Sequence, residues 1–317
     1  MRVLVTGGAG FIGSHVVDAL VAQGYDVTVL DNLSTGDKSN IRAHLTNPNF
    51  RFIEGDIRDA KIVKKSLLDV EAVVHEAAIV SVPRSIAAPR LTREINVDGT
   101  LSMLEASLRA GVKRFIYASS CAVYGDQARL PIGEDAPLNP LSPYAETKVK
   151  AEGLCMDYYR SYGLQTVCLR YFNVYGPRQA AGQYSGVMVK FFERLRRGRP
   201  PIIYGNGEQT RDFVHVSDVV DATLRALRSR RSPGEIFNVG TGRATSINEL
   251  CSIFLREMGQ PRLKPIHRPA KPGDIRQSQA DVSKARKLLG YRPRMPLELG
   301  VKELIREWSV KACTRSS

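Results

Sequence analysis

In Tyr144-Ala145-Glu146-Thr147-Lys148 a phenol and an ammonium stand four residues apart. On a helix that spacing puts both on one face, one turn apart. A cation held beside a phenol makes the ionised form less costly, so a group with an ordinary pKa near 10 could act as a base near neutral pH. Upstream lies Ser119-Ser120-Cys121-Ala122-Val123-Tyr124-Gly125, and the chain opens on a glycine-rich loop. Tyr-x-x-x-Lys alone is common as a surface lysine beside a half-buried tyrosine, so its meaning depends on the elements that position it.

Those elements begin at once. Arg2 to Thr6 reads as a buried strand, Gly7-Gly8-Ala9-Gly10-Phe11-Ile12-Gly13 as a tight loop, and Val16, Val17, Leu20 and Val21 as the apolar stripe of a helix. Strand, glycine loop and helix in that order let a backbone approach a pyrophosphate at a helix N-terminus. A second strand, Asp26 to Leu30, ends in Asp31, where a carboxylate can take the adenosine ribose hydroxyls of a dinucleotide. That favours NAD over NADP, with Lys38 the one nearby residue that argues otherwise. A turn-forming role for Asp31 is the plainer alternative.

Further strands are expected at Phe50 to Glu54, Ala72 to His75, Arg114 to Ala118 and Thr166 to Arg170, separated by helical stretches around 59–68, 84–110 and 143–162. The alternation predicts an α/β fold with a Rossmann-type doubly wound parallel sheet over residues 1–172. Beyond 172 the alternation decays into Pro- and Gly-rich segments, read as a smaller C-terminal substrate-binding lobe over 173–317, some segments of which return to the first domain. Its helices are expected at Gly186 to Arg197, Ser217 to Arg228, Ile247 to Met258, Val282 to Leu289 and Leu297 to Trp308.

Composition excludes several classes. With 317 residues, 43% hydrophobic and 25% charged, the chain is an ordinary globular one and not disordered. Its five cysteines are odd in number and contain no C-x-x-C pair, so neither a disulfide framework nor a zinc site is suggested. No charged segment followed by an apolar run opens the chain and no stretch is long enough to span a bilayer, which points to the cytoplasm and to no membrane partner. The +14 formal charge could attract nucleic acid, membranes or anionic substrates. Its densest clusters, Arg194/Arg196/Arg197/Arg199 and Arg225/Arg228/Arg230/Arg231, fall late in expected helices, where cations complement the helix dipole, so no nucleic-acid partner is expected.

Taken together, TGGAGFIGSH, DNLS at Asp31, GDIRD at Gly55, HEAA at His75, NVDGT at Asn96, SSCAVYGD at Ser119, YAETK at Tyr144, RYFNVYGPRQ at Arg170, RDFVHVSDV at Arg211 and GDIRQSQADVSKA at Gly273 resemble the extended short-chain dehydrogenase/reductases, and within them the UDP-sugar 4-epimerases. The resemblance runs nearly end to end. It implies catalysis by Ser120, Tyr144 and Lys148, with the Tyr144 phenol lowered by Lys148 and by oxidised NAD, and transient oxidation of the sugar at C4. It implies NAD contacts from Gly7, Gly10, Phe11, Ile12, Asp31, Asn32, Asp56, Ile57, Ala77, Ala78, Asn96, Tyr144, Lys148 and Tyr171. It places the UDP-sugar against Ser120, Tyr144, Asn173, Val187, Tyr204, Arg211 and Asp274. It also implies a homodimer, through the helices around 92–110 and 144–162.

Arg211 is the expected diphosphate clamp, against the plainer alternative of a salt bridge to Asp212 or Asp218. His75 and His215 are read as structural. Two positions depart from the family pattern: Lys271 stands where Arg is common before Pro-Gly-Asp, and Ser278 where some relatives carry a bulky aromatic. The small Ser278 leaves room for an N-acetyl group. Rival readings are a 4,6-dehydratase, disfavoured because Cys121-Ala122 occupies the place of an Asp-Glu pair; a UDP-glucuronate epimerase or decarboxylase; and a non-catalytic NAD-sensing or nucleic-acid-binding protein.

Overall fold

Strands that are apolar on both faces must be covered on both, and the central strands of this chain are of that kind. In the computed structural model, which describes residues 1–179, 186–270, 273 and 275–314 (side chains of 311–314 excepted), they form one seven-stranded parallel sheet. Its order is Glu235–Val239, Gln165–Tyr171, Arg114–Ser120, Ala72–His75, Arg2–Thr6, Asp26–Asp31, Phe50–Glu54. Alternate side chains divide between two cores. Val3, Val5, Val27, Val29, Ile116, Val167 and Phe237 face the helices Phe11–Ala22, Val216–Arg228 and Ser283–Leu289, while Leu4, Leu30, Val73, Phe115, Tyr117 and Cys168 face Ala60–Ser66, Gly99–Arg109 and Pro143–Tyr162.

The sheet winds outward in both directions from the adjacent strands Arg2–Thr6 and Ala72–His75, and a doubly wound sheet binds its ligand at the carboxyl end of that switch point. Gly7 and Ala77 follow the two strands. A Cβ on Gly7, whose φ is +67°, would lie 2.8 Å from the Ala77 nitrogen, so only glycine lets the two strand ends approach this closely.

Segments from beyond residue 172 complete this domain: Val216–Arg228 packs on the N-terminal helix and Glu235–Val239 supplies the outermost strand. The remainder forms a third core around Phe191, Phe192, Phe254, Leu304 and Trp308, contributed by Val187–Leu195, Ile247–Glu257 and Leu297–Thr314. The 84–110 stretch is not one helix. It runs as Val82–Ala87, Pro89–Arg93, a wide π turn Glu94–Asp98 and Gly99–Arg109. Pro89 cannot continue the preceding turn, and the π turn delivers Asn96 to the backbone of Ile79, where its side chain makes two hydrogen bonds (2.8 and 2.9 Å).

The helix Pro143–Tyr162 starts where Ser142 caps the Ala145 amide (3.2 Å) and Pro143 fixes the first turn, and it stops at Gly163 in the left-handed region. Its buried face carries Tyr144, Thr147, Lys148, Ala151, Glu152 and Cys155. Glu152 receives Arg170 bidentately (2.7 and 2.9 Å) and the Ser119 hydroxyl (2.5 Å), which ties the helix to two central strands. Both charges are almost wholly buried. Glu152→Ala strands the guanidinium and should lower stability by about 3–5 kcal/mol, with Glu152→Leu/Arg170→Met recovering most of it. Urea unfolding checks this: a single-variant loss below about 1 kcal/mol would show that the pair does not anchor the helix.

Candidate active site

A cleft of about 850 Å³ opens at the carboxyl ends of the strands. Ten residues expected to hold the dinucleotide line it together: Gly7, Gly10, Phe11, Ile12, Asp31, Asn32, Asp56, Ile57, Ala77 and Ala78. Gly10 precedes the Phe11–Ala22 helix and makes no side-chain cap, so the helix N-terminus is free to meet a pyrophosphate. Asp31 accepts the Ala9 amide (2.9 Å) and the Leu33 amide (2.8 Å), so it pins the glycine loop to its strand and still presents acceptor oxygens to the cleft. Burial pushes its carboxyl up and the two amides pull it back. Lys38 lies over the Phe52 ring, 5.0 Å from its centre, and is not among the lining residues. Asp56 is clasped by Arg58 (2.8 and 2.9 Å) and Asn32 (3.1 Å), and Arg58 is the chief reason that its carboxyl falls to about 2. These features fit NAD.

Ser120, Tyr144 and Lys148 are not among the residues that line this cleft; Glu76, which does line it, acts electrostatically on both Tyr144 and Lys148. Ser120 ends its strand, accepts the Ala122 amide (3.2 Å) and lies near enough to the Tyr144 phenol to favour its ionised form. Tyr144 is 8% exposed and Lys148 3%. The ammonium stands beside the phenol ring, as expected, but its hydrogen bond goes elsewhere. Lys148 Nζ donates to the Ala118 carbonyl (2.7 Å) and sits 5.9 Å from the centre of the Tyr144 ring, nearer the Tyr117 ring at 4.8 Å. Burial therefore dominates, and Tyr144 is pushed up to about 12; Ser120 pulls it down, while Cys121 and Glu76 push it up. Lys148 is brought down to about 8 by burial, with Glu76 the largest opposing influence.

Glu76 links the two groups, and sequence reading missed it. It lines the cleft, accepts the Tyr171 hydroxyl (2.8 Å), and acts electrostatically on both Lys148 and Tyr144. Burial raises its carboxyl to about 7 against the pull of Tyr171 and Lys148. An acidic residue within HEAA, at a buried strand end, was the available signal. Tyr171, expected at the cofactor, is held by Glu76 and Thr223 (3.1 Å) and does not line the cleft. Asn96 does not line it either; it fixes Ile79, which does, and also donates to Thr147 (3.1 Å).

On the substrate side, Arg211 donates to the carbonyls of Thr210 (2.7 Å) and Ile275 (2.6 Å). The carboxylates offered as its alternative partners are occupied elsewhere: Asp212 by Thr241, Gly242 and Ala280, Asp218 by the amides of Arg294 and Met295. Ser278 is buried and lies near the thiol of Cys121, the residue directly after Ser120. Asn173 pairs through its amide with the Asp212 carbonyl (2.9 Å), Val187 opens its helix, and Tyr204 is exposed at a short strand end. Lys271 and Asp274 lie outside the described residues. His75 is buried between Thr6 (2.7 Å) and Thr100 (3.1 Å) and lowered to about 3 by burial, and His215 caps its helix through Ser217, both structural. Glu303 lies 3.7 Å from His215, an acid that the sequence did not place there.

Because the folded-state carboxyl of Glu76 titrates near 7 rather than 4.5, its proton is held more tightly in the native chain. The stability this confers is complete below about 4.5 and is lost as pH rises to about 7, up to about 3 kcal/mol. Glu76→Gln should flatten the fall in unfolding temperature between mildly acid and mildly alkaline pH, measured without NAD. An unchanged fall would mean that Glu76 is not the responsible group.

Residues 3–240 match the profile of the NAD dependent epimerase/dehydratase family. A putative UDP-glucose 4-epimerase of Methanocaldococcus jannaschii is 43% identical over 305 residues, 96% of this chain and 97% of that protein. Two solved structures superpose nearly throughout. One is the Thermotoga maritima UDP-glucose 4-epimerase with UDP-glucose (TM-score 0.92, 40% identity, 98% of this chain and 100% of that one). The other is the Methanobrevibacter ruminantium UDP-N-acetylglucosamine 4-epimerase in complex with UDP-N-acetylmuramic acid (TM-score 0.91, 36% identity, 98% of each). With a glycine-loop cleft suited to NAD and a Ser–Tyr–Lys group built on a strand end and the adjacent helix, the chain belongs to the NAD dependent epimerase/dehydratase family, as an enzyme of the NAD-dependent epimerase type.

Proposed function

We propose that this enzyme interconverts UDP-glucose and UDP-galactose at C4, and that it also accepts UDP-GlcNAc and UDP-GalNAc. The observation that carries the reading is a Ser120 side chain that acts on the buried Tyr144 phenol, with Lys148 on the same helix face, beside a cleft suited to NAD. The relatives named above support it. Cys121 and Ala122 offer no carboxyl next to Ser120, which favours epimerisation over dehydration.

Bound NAD supplies a hydride acceptor at the sugar C4 and, in its oxidised form, a positive charge beside the phenol. Tyr144 Oη takes the proton of the 4-hydroxyl and later returns it to the same oxygen, so the enzyme ends each turnover as it began. Ser120 Oγ holds the phenol oxygen and the sugar oxygen on one line. Lys148 adds a cation 5.9 Å from the centre of the Tyr144 ring, which supplements the charge of oxidised NAD, and Glu76 opposes ionisation of the phenol from the cleft side. Burial of the group keeps bulk water from the transient 4-keto sugar. Arg211 is assigned to the diphosphate and Ser278, beside Cys121, to the space at the sugar C2 substituent. The homodimer implied by the family is kept as part of this reading.

Tyr144→Phe should lower UDP-galactose epimerisation about 10²–10⁴-fold while NAD binding persists. A loss under tenfold would remove Tyr144 from the chemistry. In a panel of UDP-sugars assayed without added NAD, inversion at C4 is expected for both the hexoses and their N-acetyl forms. Turnover of UDP-galactose but not UDP-GalNAc would refute the wider range; turnover of UDP-glucuronate alone would refute the hexose assignment.

A further inference from the structure

Two helices end side by side at the edge of the sheet opposite the cleft. Where Val216–Arg228 and Ser283–Leu289 finish, Ser229 Oγ donates to the Leu288 carbonyl (3.4 Å) and Arg225 reaches the Leu289 carbonyl (3.4 Å). Arg114, the first residue of its strand, pins the following turn through the carbonyls of Ala226 (3.0 Å) and Ser229 (2.9 Å). Arg228 reaches Tyr25, just before the second strand (2.9 Å). All of these contacts lie at the amino ends of the strands, whereas the cleft lies at their carboxyl ends.

Five exposed cations converge there: Arg228, Arg230, Arg231, Arg286 and Lys287. Of the carboxylates nearby, Asp221 holds Arg225 (2.6 Å) and Glu235 holds Lys284 (2.7 Å), and Asp26, next to Tyr25, can offset one of the five charges. Two helix C-termini present together about one negative charge, so five cations exceed what the helix ends require by about four. The dipole explanation that suffices for a single helix end does not account for this surplus.

The chemistry of the patch also indicates its partner. Backbone carbonyls converge here rather than amides, and the Tyr25 ring lies under the Arg228 guanidinium (5.6 Å) rather than open for stacking. Single-stranded nucleic acids are held by stacking rings, and phosphates of a duplex by backbone amides as well as side chains. A diffuse anionic surface asks only for long cationic side chains. We propose that this face docks on an anionic phospholipid bilayer, with the active-site cleft turned away from it. Attachment is peripheral, because no helix among the described residues is long and apolar enough to cross a membrane. The proposal revises the expectation of no membrane partner and is independent of the sugar substrate.

The test is co-sedimentation of the whole protein with vesicles of phosphatidylcholine alone or mixed with phosphatidylglycerol. The wild type should bind only the mixed vesicles and release when salt shortens the screening length to about 3 Å. The R230Q/R231Q/R286Q/K287Q variant should bind about a hundredfold or more weakly, with NAD binding and unfolding temperature unchanged. No binding of the wild type to mixed vesicles, or equal binding by the variant, overturns the proposal. Tighter binding to a duplex oligonucleotide than to vesicles at the same salt also overturns it and makes the patch a nucleic-acid site.

Discussion

Removing ionisable groups from water at the carboxyl ends of the central strands is the constraint on which the site depends. Tyr144, Lys148 and Glu76 are each moved from their ordinary pKa by burial first, with Ser120, Glu76 and Tyr171 respectively the next largest influences. Each would be a liability in an ordinary core, where a charge without a partner costs several kcal/mol. They are tolerated because the surroundings are rigid: the Glu152–Arg170 pair ties the Tyr144 helix to the sheet, and Asn96 and Ser85 fix the segments that face it. Without the cofactor the phenol is therefore held protonated, and catalysis requires a positive charge that the protein alone does not place against it.

This arrangement gives the two parts of the molecule different tasks. The sheet and its glycine loop hold a dinucleotide by backbone shape, at the switch point where two strand ends come together. The smaller lobe supplies Val189, Phe192 and Trp308 to the opposite wall of the cleft, so its own apolar core extends to the cofactor surface. Glu76 stands between, lining the cleft on one side and acting electrostatically on Tyr144 and Lys148 on the other. Whatever occupies the cleft covers Glu76 and so alters the charge felt by Lys148 and Tyr144.

Most of the first domain was legible because its strands are continuous apolar runs and its loops carry glycine at positions that permit nothing else, such as Gly7. The seventh strand was not. Glu235–Val239 is short and contains Asn238, a polar residue that reads against a core strand until Tyr124, Ile132 and Asp281 are seen to satisfy its side chain. The break in the 84–110 stretch was signalled by Pro89, but the π turn that presents Asn96 has no local signature. At the site, Tyr144 and Lys148 do share one helical face, with the ammonium over the ring and its hydrogen bond given to a strand carbonyl. Spacing along a helix cannot reveal that the Ala118 carbonyl competes for the ammonium, nor that Glu76 approaches from a different strand.

The account's central claim is that Tyr144 is neutral in the cofactor-free enzyme and is made ionisable by the charge that NAD brings. Ultraviolet titration of tyrosinate, taken as the difference between wild type and Tyr144→Phe, measures this one phenol with and without NAD. The account predicts ionisation near 12 without the cofactor and a fall of about two units or more on saturation with oxidised NAD. A phenol that titrates at the same pH in both conditions would contradict it.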